Sequence, residues 1–126
     1  MTSEQFSDWL ARYRRAWETG DPDAVVQLFT PDATYVETPF SEPMCGRAAI
    51  RAYWIEGARD GQRGVKFAAQ PVALVDGTGY ARWQARFTRV SGGAAVELDG
   101  MLAAGLAADG LCREFREWWH RRETSA

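Results

Sequence analysis

The sequence predicts an α+β domain: a cone-shaped, curved antiparallel β-sheet wrapped by three helices, all in the N-terminal half. Apolar residues recur at helical spacing in the first half of the chain, and from Val65 onward they change to the period of two typical of strands. Tight turns join the later segments into consecutive hairpins, so the helices that precede them cover only one face of the sheet. A strongly twisted sheet of this kind leaves a conical pocket.

Each predicted helix is marked by its ends. Thr2 or Ser3 caps the first helix, and "TGDPDA" ends it at Gly20. A short second helix is predicted over Asp23–Phe29, and a third over "RAAIRAYWIEGARDG", after the irregular loop "FSEPMCG". The inward stripe of the first helix consists of Phe6, Trp9, Leu10, Tyr13 and Trp17.

The strands follow from alternation and from turn residues. The first strand lies between the second and third helices and is predicted to end near Pro39. In the predicted strand that begins at Tyr80, one face carries Ala81, Trp83, Ala85 and Phe87, and the other face carries arginines and a glutamine. The four later strands are predicted over Val65–Val75, Tyr80–Val90, Ala94–Ala107 and Leu111–His120.

Composition narrows the function classes. The chain has 126 residues, which fits one domain, and its net charge of −2 gives no basic footprint for nucleic acid. Two cysteines without CxxC spacing predict neither a disulfide framework nor a zinc site, and the sequence shows no signal peptide or membrane span. We expect a soluble, cytoplasmic protein. Its six Trp, six Phe and four Tyr suit an apolar pocket as well as a core.

The stretch "DATYVETPF" raises a specific question. Ala33, Tyr35 and Glu37 fall on one face of the predicted first strand, so if Ala33 and Tyr35 are buried, a carboxylate points the same way. A buried carboxylate has a raised pKa and can act as a general base near neutral pH. The alternative is a glutamate at the rim, paired with an arginine such as Arg82 or Arg86.

The segment "RYRRAWETGDPDAVVQLFTPDATYVETPFSEPMCGRAAIRAYW" resembles the nuclear transport factor 2-like superfamily, and within it the SnoaL-like polyketide cyclases and ketosteroid isomerase. The resemblance covers nearly the whole chain, so residues 1–126 are expected to form a single SnoaL-like domain with a cystatin-like α+β barrel. It implies a protein without metal or cofactor that binds a small hydrophobic molecule and forms a homodimer through the outer face of the sheet. This fold hosts many activities, so the resemblance is specific for fold and weak for function.

Similarity to ketosteroid isomerase assigns roles to single residues. Tyr13 matches that family's oxyanion-hole tyrosine, and Glu37 falls on its general-base aspartate. The second oxyanion donor, a protonated aspartate, is matched by Leu102. Asp99 lies three residues earlier and faces the other way unless the strand carries a bulge. The Asp-Arg-Asp relay of the superfamily's epoxide hydrolases has no complete match.

The sequence therefore leaves two hypotheses open. The first is a cofactor-independent isomerase, cyclase or hydrolase with Glu37, Tyr13 and Asp99 as candidate catalytic residues. The second is a non-catalytic module that binds a small ligand or dimerises. His120 and Cys45 are weaker candidates, better explained as a solvent-facing residue and a loop thiol. The predicted substrate-binding residues are Tyr35, Trp54, Phe67, Trp83, Leu102, Phe115 and Trp119.

Overall fold

The computed structural model describes residues 1–126 as three helices and one six-stranded sheet. The helices are α1 (Ser3–Glu18), α2 (Pro22–Val26) and α3 (Arg47–Trp54), and a π-helical turn at Ile55–Arg59 continues α3. The strands are β1 (Phe29–Val36), β2 (Met44–Cys45), β3 (Gln62–Val75), β4 (Thr78–Arg89), β5 (Ala95–Leu106) and β6 (Cys112–Thr124). The predicted α+β class and the position of all three helices before the long hairpins are confirmed.

Helix α1 begins and ends as the sequence predicts. The Thr2 hydroxyl accepts the Gln5 N–H while the Gln5 side chain accepts the Thr2 N–H, which forms a capping box. The chain leaves the helix through Gly20, whose φ of 61° favours glycine. The helix buries its apolar stripe against the sheet, and each large side chain so buried contributes about 1.5–3 kcal/mol of transfer free energy.

Helix α2 is shorter than predicted, because the last predicted residue of the helix pairs with β6 as part of a strand. The helix ends at Val26, and Phe29 begins β1 by pairing with Cys112 of β6. The Cys112 N–H donates to the carbonyl of Leu28 at 2.8 Å. β1 ends at Val36, earlier than predicted, so Glu37 lies just beyond its last residue.

The sheet order is β2-β1-β6-β5-β4-β3, and its two edge strands are not paired with each other, so the curved sheet does not close into a barrel. Four of the five strand pairings are antiparallel, but β1 runs parallel to β6, which corrects the expectation of a wholly antiparallel sheet. A parallel pair needs a long crossover connection, and the entire segment from β2 to β5 provides it.

The concave face of the sheet packs against α1 and α3 and forms one apolar core. In β4 the predicted inner residues are all buried: Ala81, Trp83, Ala85 and Phe87. The arginines between them face outward, as the alternation predicts. No helix is long and apolar enough to cross a membrane.

Candidate active site

A cavity of about 480 Å³ opens between the concave face of the sheet and the helices. Of the residues predicted to bind substrate, Tyr35, Trp54, Trp83 and Trp119 line it, and so do both predicted catalytic residues of the N-terminal half, Tyr13 and Glu37. The π-helical turn forms part of the wall on the helix side. The remaining lining residues are Trp17, Tyr53, Glu56, Gly57, Ala58, Gly61, Gln62, Phe87, Arg89, Leu98, Glu117 and Arg121.

A hydrogen-bonded cluster of two tyrosines and one glutamate lies on the cavity wall. The hydroxyl oxygens of Tyr13 and Tyr35 are 3.0 Å apart, and each is 3.2 Å from Oε1 of Glu117. Helix α1 supplies Tyr13, β1 supplies Tyr35 and β6 supplies Glu117. All three side chains are buried. Glu117 is the only acidic or basic residue among the buried residues.

The surroundings of Glu117 favour its protonated form. Burial raises the pKa of Glu117 from 4.5 to about 8, although the hydrogen bonds from Tyr13 and Tyr35 lower it in part and the charge of Glu37 raises it further. No arginine or lysine pairs with this carboxyl group. Glu117 therefore holds its proton at neutral pH and acts as a carboxylic acid.

The two oxygens of Glu117 have different roles. Oε1 faces the tyrosine hydroxyls, so it acts as the acceptor, and Oε2 makes no hydrogen bond within the chain. Oε2 is also not fully buried. The side-chain polar atoms that are fully buried and have no hydrogen-bond partner are the indole nitrogens of Trp54 and Trp83. The acidic proton on Oε2 is therefore available to a ligand oxygen.

Burial also keeps the tyrosines protonated. It raises the pKa of Tyr13 and of Tyr35 well above 10, and the nearby charge of Glu117 adds to the effect. Tyr53 behaves in the same way, with the charges of Glu117 and Glu37 as further causes after burial. These hydroxyls are hydrogen-bond donors at neutral pH.

Glu37 lies at the edge of the cavity, half-buried, directly after β1. Its backbone carbonyl accepts the indole N–H of Trp119 at 3.0 Å, which ties this position to β6. None of the ion pairs in the chain includes Glu37, so the predicted alternative of a pair with Arg82 or Arg86 is not found. The cavity is thus lined by the acidic side chains of Glu37 and Glu56 and by the carboxylic acid of Glu117.

The structure does not bring Asp99 to this cavity. Asp99 faces the outer side of the sheet, where its side chain is 57% exposed and pairs with Arg82 at 2.9 Å. β5 runs from Asp99 to Leu102 without a bulge against β4, so the odd step places the two residues on opposite faces. The expectation of a catalytic Asp99 is corrected by this register.

The other predicted lining residues lie in the core around the cavity. Leu102, Phe67 and Phe115 are buried but do not line it. The Phe115 ring packs on Tyr35, with ring centres 4.7 Å apart, and the Phe67 ring packs on Trp83 at 5.9 Å. They therefore support the residues that form the wall.

The weaker candidates lie away from the site. His120 is exposed on the outer face opposite Asp99, and Cys45 is exposed in β2. Cys112 is buried, and burial raises the pKa of its thiol to about 12. None of the three reaches the cavity.

Sequence reasoning missed Glu117. The signal was present, because Phe115, Glu117 and Trp119 alternate along one strand and therefore share a face with the predicted pocket aromatics. The register adds a second clue: Glu117 lies directly opposite Leu102 on the neighbouring strand. A buried carboxyl group thus lies across the strand pair from the position that the sequence matched to the isomerases' second oxyanion donor.

Known proteins match this chain in sequence and in fold. The family model described as the SnoaL-like domain matches residues 10–115. The epoxide hydrolase LasB of Streptomyces lasalocidi is 32% identical over 117 residues, covering 90% of this chain and 40% of LasB, so the chain spans less than half of that relative. The steroid Delta-isomerase of Nocardioides simplex is 29% identical over 110 residues, covering 87% of this chain and 85% of the isomerase.

A solved structure shows the same architecture. The epoxide hydrolase/cyclase-like enzyme SalBIII, described with a role in pyran ring formation in the polyether salinomycin, superposes with a TM-score of 0.82. The two chains are 25% identical, and the match covers 95% of each. The nuclear transport factor 2-like fold read from the sequence is confirmed, and the chain belongs to the SnoaL-like domain family.

Proposed function

We propose that this protein is a cofactor-independent enzyme that moves protons on a small apolar molecule held in the cavity, with Glu37 as base and Glu117 as acid. The observation that carries the proposal is the buried carboxyl group of Glu117, held by Tyr13 and Tyr35 at 3.2 Å with one oxygen left free. Burying an unpaired carboxyl group is costly to stability, and such groups cluster at functional sites.

The two carboxyl groups have complementary roles. Glu37, at the cavity edge and outside any ion pair, accepts a proton from carbon or from an attacking hydroxyl group. Glu117 Oε2 donates its proton, or a strong hydrogen bond, to the substrate oxygen on which negative charge develops. The hydroxyls of Tyr13 and Tyr35 hold Oε1 in place and stabilise the carboxylate that remains after Glu117 donates its proton.

Two reaction types require this pair, and each is represented among the relatives. In isomerisation of a β,γ-unsaturated ketone, a base removes a proton next to the carbonyl group, an acid stabilises the resulting enolate, and the base returns the proton to the γ-carbon. In epoxide opening, an acid protonates the epoxide oxygen as the C–O bond breaks, and a base deprotonates the hydroxyl group or water that attacks carbon. Proton transfer from a well-placed group contributes about 10²–10⁴-fold to the rate in either case.

The test compares three variants on two substrates, a β,γ-unsaturated ketosteroid and a hydroxy-epoxide. We expect Glu37→Gln to lower kcat by about 10²–10⁴-fold on the accepted substrate. In the wild type, kcat/KM falls as pH rises through about 8, where Glu117 of the free enzyme loses its proton, and Glu117→Gln abolishes this fall. Glu114→Gln is the matched control, because Glu114 is exposed on the outer side of the same strand.

The competing hypothesis of a binding module makes the opposite prediction. Its supporting observation is Leu102, which replaces the acid of the isomerases with an apolar side chain. If Glu37→Gln binds ligands as the wild type does and neither protein turns over either substrate, the general-base role is lost and a binding function remains.

We also propose that two copies pair through the outer face of the sheet. Trp118 is 42% exposed there and lies opposite Met101, which is also exposed. Large exposed apolar side chains grouped on a sheet mark association surfaces. Trp118→Glu is expected to give a monomer by sedimentation equilibrium. Phe40→Glu, at a fully exposed residue in the loop after β1, keeps the dimer, and a monomeric wild type contradicts the assembly.

A further inference from the structure

The inner face of β6 changes character from the depth of the cavity to its mouth. Glu117, Trp119 and Arg121 alternate along this face, and their exposure rises in that order from buried to exposed. All three line the cavity. A ligand that reaches Glu117 with one end therefore passes an aromatic wall and meets arginine at the other end.

The mouth holds two arginines that share a single acidic partner. Arg89 donates to both carboxylate oxygens of Glu123, at 2.7 and 3.3 Å, while Arg121 lies 3.7 Å from the same carboxylate. Arg89 and Arg121 line the cavity, but Glu123 does not. The ligand side of this cluster is therefore cationic.

Arg121 interacts less strongly with Glu123 than Arg89 does. Its guanidinium group donates no hydrogen bond within the chain, and its side chain is 51% exposed. A guanidinium group offers five N–H donors in a planar fork that matches a carboxylate. The acidic residues that line the cavity, Glu37 and Glu56, are supplied by other elements: the end of β1 and the π-helical turn.

We propose that Arg121, supported by Arg89, binds an anionic group at the far end of the ligand, so that the substrate class is an elongated apolar molecule with a carboxylate. Arg121 lies four positions after Glu117 on an extended strand, a Cα distance of about 13 Å. The reacting oxygen and the carboxylate are thus at opposite ends of one molecule. The inference rests on the proposed function in placing the reacting oxygen at Glu117.

The experiment measures the affinity of two fluorescent probes, pyrenebutyrate and pyrenebutanol, which share a flat apolar body and differ in the anionic end. We expect the wild type to bind the butyrate more tightly than the alcohol at neutral pH. Arg121→Gln weakens binding of the butyrate by about tenfold, because it removes a charge-assisted pair, and leaves the alcohol unchanged. Glu123→Gln frees Arg89 and strengthens binding of the butyrate.

Arg122→Gln is the matched control, since Arg122 faces the outer side of the sheet and pairs with Glu97. It is expected to change neither affinity. Equal binding of both probes, or an equal loss of both in Arg121→Gln, overturns the anionic anchor and leaves the apolar cavity of the proposed function intact. Failure of the wild type to bind either probe overturns both proposals.

Discussion

Replacing Glu117 by glutamine should change how the stability of this protein depends on pH. The folded state holds the carboxyl group with its pKa raised from 4.5 to about 8, so between these values the unfolded chain releases a proton that the folded chain keeps. Stability from this group is therefore greatest in acid, falls as pH rises through that window, and falls no further above it. Glutamine mimics the protonated acid and does not titrate.

The expected size follows from the same two pKa values. Between about pH 5 and about pH 9, linkage predicts that the wild type loses about 4 kcal/mol of unfolding free energy through Glu117 alone. This is a large fraction of the roughly 5–15 kcal/mol that stabilises a domain. The two proteins should be similarly stable in acid, and the variant should be more stable in base by about that amount.

The assay is urea denaturation followed by tryptophan fluorescence, at several pH values and one fixed protein concentration. The quantity compared is the difference in unfolding free energy between the wild type and Glu117→Gln, because pH effects of all other groups cancel in it. Glu114→Gln, on the exposed face of the same strand, is expected to follow the wild type. A difference that stays constant within about 1 kcal/mol across the range would refute a raised pKa at Glu117.

Three further outcomes follow from the structure. Tyr13→Phe removes a hydrogen bond that lowers the pKa of Glu117, so that pKa should rise in a carbon-detected NMR titration; a fall or no change contradicts the assignment. Gly100→Ala places a methyl group 2.0 Å from a backbone carbonyl oxygen of β6, and should lower the urea midpoint by the equivalent of about 1–3 kcal/mol; an unchanged midpoint contradicts this close approach. Iodoacetamide should modify the exposed Cys45 in the native protein and spare the buried Cys112 until urea is added, as read by mass spectrometry; native labelling of both would contradict the burial.

Local sequence determined most of the fold. Capping at Thr2, the stop at Gly20 and the alternation along β4 depend on neighbours within a few residues, so they were predictable without any tertiary information. The end of α2 was not predictable in this way, because Phe29 belongs to β1 through a partner more than eighty residues away. The parallel pairing of β1 with β6 has the same distant origin.

The candidate site was likewise predictable only in part. The resemblance placed Tyr13 and Glu37 at the cavity, and the structure finds both there. It could not identify Glu117, whose pKa depends on burial and on hydroxyl groups 104 and 82 residues earlier in the chain. The sequence by itself determined the helices and most strands through local pattern, and one side of the site through its resemblance to a known family. Only the tertiary structure decided which carboxyl group is buried and protonated, because desolvation is a property of the packed surroundings and not of the residue.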